Sequence, residues 1–125
     1  PMTGGAGVAT IYAYDRGSPA LREGVAAPEV DAEIAGAVAE VQALAPYRGY
    51  GIAARTPGPL VAGPFGQPGL RCEALVLAFS GGPQADALVC AGVRNGRFLK
   101  LRMTLPAGAG AQAVPFAQAL LQVVR

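Results

Sequence analysis

The dipeptide Asn95-Gly96 restricts the fold of this chain more than any other feature. Asn and Gly both tolerate positive φ, which the two central positions of a type I′ turn require, and that turn matches the twist of an antiparallel hairpin. On either side stand apolar runs, Ala85 to Val93 and Phe98 to Leu105. The second run alternates Leu99, Leu101, Met103 and Leu105 against Phe98, Lys100, Arg102 and Thr104, the period of two that a strand requires. Upstream, Ser80-Gly81-Gly82-Pro83 separates Ala85 to Val93 from a further run, Arg71 to Phe79. Short turns join antiparallel neighbours, so residues 71 to 105 are predicted to form a three-stranded meander. Its Leu face packs on a core. Val89, Ala91, Val93 and Phe98 leave the opposite face hardly more polar, so both faces are expected to be covered.

The remaining elements follow from the same rules. Gly7 to Asp15 alternates Val8, Thr10, Tyr12 and Tyr14 against Ala9, Ile11 and Ala13, which predicts a strand. Pro28, followed by Glu29, Asp31 and Glu33, opens a helix whose dipole the acids favour. Val30, Ile34, Val38, Val41 and Leu44 form its apolar stripe, and it is expected to stop before Pro46. Tyr50 to Thr56 is a weak strand. Pro57 to Gly69 holds four Pro and four Gly in thirteen residues and reads as a loop, with a short extended piece at Leu60 and Val61. Val114 to Arg125 carries Phe116, Leu120, Leu121 and Val124 on one helical face. Strands joined by hairpins, with helices near the ends of the string, define the expected class. It is α+β, one domain over residues 1 to 125, with helices packed on an antiparallel β-sheet and extending to both of its faces.

Composition removes several functions. With 52% hydrophobic and 14% charged residues, charge-driven disorder is excluded. Ten basic against eight acidic side chains make no polybasic tract, so no nucleic-acid partner is expected. No run approaches the roughly 20 apolar residues of a membrane-spanning helix. The absence of His removes Ser-His-Asp and Cys-His catalysis and every His-ligated metal site, and no metal or cofactor is expected. The string Gly108-Ala109-Gly110-Ala111-Gln112-Ala113 matches a dinucleotide fingerprint. With only twelve residues after it, there is no second parallel strand and no acid to hold a ribose, so it reads as a linker and helix start. Pro1 precedes Met2, so the chain is expected to be a processed or trimmed product, any signal peptide lying outside it.

Two segments, Ala9-Thr10-Ile11-Tyr12-Ala13-Tyr14-Asp15-Arg16-Gly17 and Gly96-Arg97-Phe98-Leu99-Lys100-Leu101-Arg102-Met103-Thr104-Leu105-Pro106, carry a resemblance. The chain resembles a loose group of uncharacterised bacterial proteins, many exported or lipid-anchored. In them a Tyr-x-Tyr-Asp strand opens the readable part and a Phe-x-Lys-x-Arg-x-Thr strand closes the sheet. In element order it is also similar to the PsbP-like α/β/α sandwich. The resemblance covers most of residues 9 to 124 and its motifs are short. It implies a periplasmic or exported location, with the cytoplasm as the alternative, and one or two strands preceding Pro1 in the full gene product. It brings no catalytic residue.

Cys72 and Cys90 lie on the strands joined by the turn at Ser80 to Gln84, and an even register sum would place them on one face. Two buried free thiols are the expected state, with a disulfide as the alternative. Lys100 and Arg102 share one strand face, and Arg48, Arg55, Arg94 and Arg97 are candidates to approach them. A basic groove for an anion competes with simple pairing to acids such as Asp15, Glu73 or Asp86. The four tyrosines read as sheet packing rather than a ring-lined pocket. Three functional readings follow. The first is a non-catalytic binding or assembly module whose partner is a protein or a small anionic ligand, with Arg55, Arg71, Lys100 and Arg102 as binding residues near the Pro/Gly-rich loop. The second is a small enzyme using Asp15, Glu73 or Asp86 with Arg102 in a cleft. The third is a structural domain joining another chain through a strand edge.

Overall fold

Asn95 and Gly96 take φ values of 53° and 74°, the pair of positive angles a type I′ turn demands. The turn joins β4 (Gln84–Arg94) to β5 (Arg97–Pro106), with Arg94 opposite Arg97 and Val93 opposite Phe98. The structure, a computed structural model, describes residues 8–14, 23–26, 28–62, 68–108 and 113–123. At the preceding turn Gly81 and Gly82 adopt φ of 96° and 113°, and the Phe79 N–H donates to the Pro83 carbonyl, which brings β3 (Pro68–Phe79) beside β4. β1 (Val8–Tyr14) adds to the free side of β5 and β2 (Tyr50–Ala62) to the free side of β3. The sheet is therefore five-stranded and antiparallel throughout, in the order β1-β5-β4-β3-β2.

The Pro/Gly-rich segment departs from the expected loop. Residues 57–62 continue β2 and 68–69 open β3, while 63–67 lie outside the described residues. Pro57 faces Glu73 and Leu60 faces Arg71, so Gly58 and Pro59 stand opposite Cys72 alone and β2 carries one extra residue at that point. An edge strand tolerates this, because a proline without an N–H and a bulge cost nothing on the side that has no neighbour. Gly58 sits in the bulge, where a Cβ would stand 3.0 Å from that of Cys72.

α1 (Pro28–Arg48) buries Val30, Ile34, Ala37, Val38 and Val41 against Leu75, Leu77, Ala87, Val89, Ala91, Val93 and Phe98 on one sheet face. It passes the expected stop at Pro46 and ends at Gly49, whose φ is 75° and whose N–H donates to the Ala45 carbonyl at 3.0 Å. Pro46 falls in the last turn, and the carbonyl it leaves without a donor belongs to exposed Gln42, where water can replace the lost bond. α2 (Ala113–Val123) covers the other face, over Leu99, Leu101, Met103 and Leu105. Its buried stripe is Ala113, Ala117 and Leu121, whereas Phe116 is 44% exposed. The side chains of Leu120 and Val124, also expected on this stripe, lie outside the described residues. Alanines four residues apart let the helix backbone approach the sheet, and the Arg94 Nη1 donates to the Leu121 carbonyl at 2.7 Å to hold the C-terminal turn. The expected α+β class, an antiparallel sheet carrying helices on both faces, is the architecture observed.

Truncating Ile34 or Val38 to alanine is expected to cost about 1 to 4 kcal/mol in denaturant unfolding, because each is buried under the sheet. A loss below about 0.5 kcal/mol at both sites would place the wrong face of α1 on the core.

Candidate functional site

The alternation of β5 turns Lys100, Arg102 and Thr104 toward α1, and the pairing with β1 sets Tyr12 opposite Lys100 and Thr10 opposite Arg102. This polar strip lies along one flank of the helix. Tyr14 Oη donates to Glu33 Oε1 at 2.5 Å, and Lys100 Nζ and Arg102 Nη1 stand 3.5 and 3.8 Å from the two oxygens of Glu40. Lys100 Nζ also lies 5.5 and 5.9 Å from the centroids of the Tyr12 and Tyr14 rings, within reach of their negative π faces. The opposite flank carries a separate set of pairs, Asp31 with Arg71 and Glu73 with Arg55 at 2.6 Å. Ion pairs thus flank the helix on both sides, those of Asp31 and Glu40 linking it to the sheet while Arg55–Glu73 joins β2 to β3, and the four basic residues singled out from the sequence fall into two groups on either side of it.

Toward its C-terminus α1 leaves a corner of the sheet open, and there a cleft of about 350 Å³ forms between the helix and β1, β5 and β4. Val41 and Leu44 from the helix, with Leu77, Phe79 and Val89 from the sheet, supply apolar walls. The polar lining is Thr10, Tyr12, Arg48, Arg102 and Thr104. Tyr50, also in the lining, donates its hydroxyl to the Val41 carbonyl at 2.5 Å, which ties the end of the helix to the strand that follows it. Among the described residues Arg102 has only its distant share of Glu40, and Arg48 makes no ion pair. An apolar trough with two under-neutralised guanidinium groups suits an anion that carries a hydrocarbon body.

Arg55 and Arg71 do not join this cleft, since each is engaged by an acid across the helix from it. Arg48, Thr10 and Thr104 complete it. The strand alternation could have placed the two threonines beside Arg102, but nothing local in the sequence brings the end of α1 into the same cleft. Neither described acid of the enzymatic alternative forms a cleft with Arg102. Asp86 is on the α2 side of the sheet, accepting the Gly108 N–H at 3.1 Å, and Glu73 is engaged by Arg55, with Val89 between it and Arg102 in the strand register. Asp15 lies outside the described residues, as do residues 109–112 of the glycine-rich string. Among the described residues no cluster of acids and cysteines could hold a metal ion, and no helix is long and apolar enough to cross a membrane.

Cys72 and Cys90 face each other directly across β3 and β4, and they form a disulfide with an S–S distance of 2.05 Å rather than the expected free thiols. The even register sum places both on the α2 face, and a directly opposed pair with Cα atoms 4.0 Å apart brings the sulfurs into bonding range.

No family model matches the chain, and no curated protein matches it. Among solved structures, it overlaps a Pseudomonas aeruginosa protein of unknown function, described as a candidate regulator. The TM-score is 0.36 at 17% identity, covering 100% of this chain and 88% of that one. At that level the overlap carries no inference about what this chain does.

Proposed function

We propose that the chain is an exported, non-catalytic binding module whose helix–sheet cleft takes a small anionic ligand. The observation that carries this reading is the cleft itself, with Val41, Leu44, Leu77, Phe79 and Val89 among its apolar walls and Arg48 and Arg102 among its polar lining. Its volume falls at the lower end of the range typical of ligand sites. The disulfide supports export, because such bonds persist in oxidising compartments and are rare where thiols are kept reduced.

The test is a fluorescence titration with anilinonaphthalene sulfonate, an apolar anion, beside phenylnaphthylamine, the same ring system without the sulfonate. One saturable site preferring the sulfonate is expected. The Arg102→Met variant should weaken sulfonate binding about tenfold, the size of a lost charge-assisted hydrogen bond, and leave the uncharged probe unaffected. Equal binding of the two probes, or no saturable binding of either, would overturn the reading.

A further inference from the structure

We infer that Glu40 is a built-in occupant of the anion site, a side-chain carboxylate that holds the place of the ligand's own, and that the ligand is a small monocarboxylate with an apolar body. This rests on the cleft reading and specifies its ligand. The geometry of the Glu40 contacts carries it. Charge-assisted hydrogen bonds between a cationic nitrogen and a carboxylate settle near 2.7–2.9 Å, and Arg55 meets Glu73 at 2.6 Å on the other side of the same helix. Glu40 instead stands 3.5 Å from Lys100 and 3.8 Å from Arg102. The Lys100 side chain is 13% exposed and that of Arg102 29%, so both cations are more buried than the Glu40 side chain, which is 57% exposed. One solvated carboxylate on a helix surface therefore serves two partly buried cations, and at 3.5 and 3.8 Å it contacts neither closely.

A ligand carboxylate arriving from the cleft would meet Arg102 in the lining and, one pleat along the strand, Lys100 beside Tyr12, which itself lines the cleft. The hydroxyls of Thr10 and Thr104 lie in the same lining and can donate to the incoming oxygens. Glu40 can then swing into solvent, because its side chain is exposed and held by no other bond among those described. A single acid group suffices, since a single acid group now serves both cations. The body of the ligand runs along Val41, Leu44, Leu77 and Phe79 toward Arg48, and the cleft volume of about 350 Å³ keeps it small.

Octanoate is the probe, with octanol as its uncharged counterpart, titrated calorimetrically into the wild-type protein, Glu40→Gln and Asp31→Asn. Asp31 is the control because it removes an equal charge from the opposite flank of α1, where it pairs with Arg71. Removing a competitor should tighten octanoate binding five- to tenfold in Glu40→Gln. Asp31→Asn should change it less than twofold, and octanol should respond to neither. Lys100 is the sole lysine of the chain, so lysine carbon labelling yields one side-chain resonance, and octanoate should shift it in both wild-type and Glu40→Gln protein. Wild-type octanoate binding that Glu40→Gln leaves equal or weaker, or that leaves the Lys100 resonance unmoved, overturns the inference while the cleft reading stands. The same gain from Asp31→Asn as from Glu40→Gln would show a general charge effect and also overturn it. If octanoate binds neither protein while the naphthalene sulfonate does, the monocarboxylate assignment is wrong. If neither anion binds, the cleft reading fails with it.

Discussion

A Gly92→Ala protein is expected to lose about 3 kcal/mol of stability or more, a large part of what a domain of this size has to lose. A Cβ at residue 92 would stand 2.1 Å from the Gly69 carbonyl oxygen and 3.1 Å from its carbon, with the Gly24 oxygen at 3.5 Å. These are backbone atoms, so no rotamer change relieves the overlap. Nor can the surrounding chain give way cheaply. Gly69 opens β3, and Gly24 is held to Val93 by two hydrogen bonds of 2.9 and 2.8 Å. The contact comes from tertiary approach and not from backbone strain, since the φ of Gly92 is not positive. Gly36 makes the matched control. It is exposed on α1 with nothing within 4 Å of its hypothetical Cβ, so Gly36→Ala should stabilise by about 0.5 to 1 kcal/mol through helix propensity. Chemical denaturation of both variants checks the pair, and a Gly92→Ala loss under about 1 kcal/mol would mean that the Gly69 and Gly92 backbones do not approach as described.

Removing the disulfide is expected to have the second large effect. The bond spans 18 residues, and in the chain-entropy account a loop of this length restrains the unfolded state by about 3 kcal/mol. The double variant Cys72→Ala/Cys90→Ala should therefore melt on the order of 10 °C below the oxidised protein. Each alanine also leaves space in a site where both cysteines are 1% exposed, which adds to the loss. Thiol titration of denatured protein from an oxidising compartment should find no free thiol before reduction and two after it. Two titratable thiols without reductant would show that the opposed cysteines are unbonded, and would withdraw the support the disulfide lends to export.

The local rules read most of the sheet correctly because its information is local. The Asn95-Gly96 turn, the alternation from Phe98 to Leu105 and the Val30, Ile34, Val38, Val41 stripe each depend on neighbours in sequence, and each appears as expected. The failures come where a residue's partner is remote. Local rules make Pro46 and the Pro57 to Pro59 stretch breakers, yet one sits in a solvated last turn and the other in the bulge of an edge strand, where a missing N–H has little consequence. On α2 the pattern puts Phe116 on the apolar face, yet it is 44% exposed. Small Ala113 and Ala117 occupy the core instead, since a close helix–sheet approach leaves no room for a ring.

The candidate site shows the same division. From residue types and alternation alone the chain determined an antiparallel α+β sheet with cover on both faces, the absence of imidazole chemistry, and the placement of Lys100 and Arg102 on one strand face. Only the tertiary structure decided which acid met which base, that Cys72 and Cys90 stood in direct register, and that the end of α1 lined one cleft with Thr10 and Thr104. The reason is physical. Turn chemistry and hydrophobic period act over a few residues, whereas the crossing of a helix over a sheet is set by the summed packing of a whole face, and ion pairs form wherever that packing brings the charges.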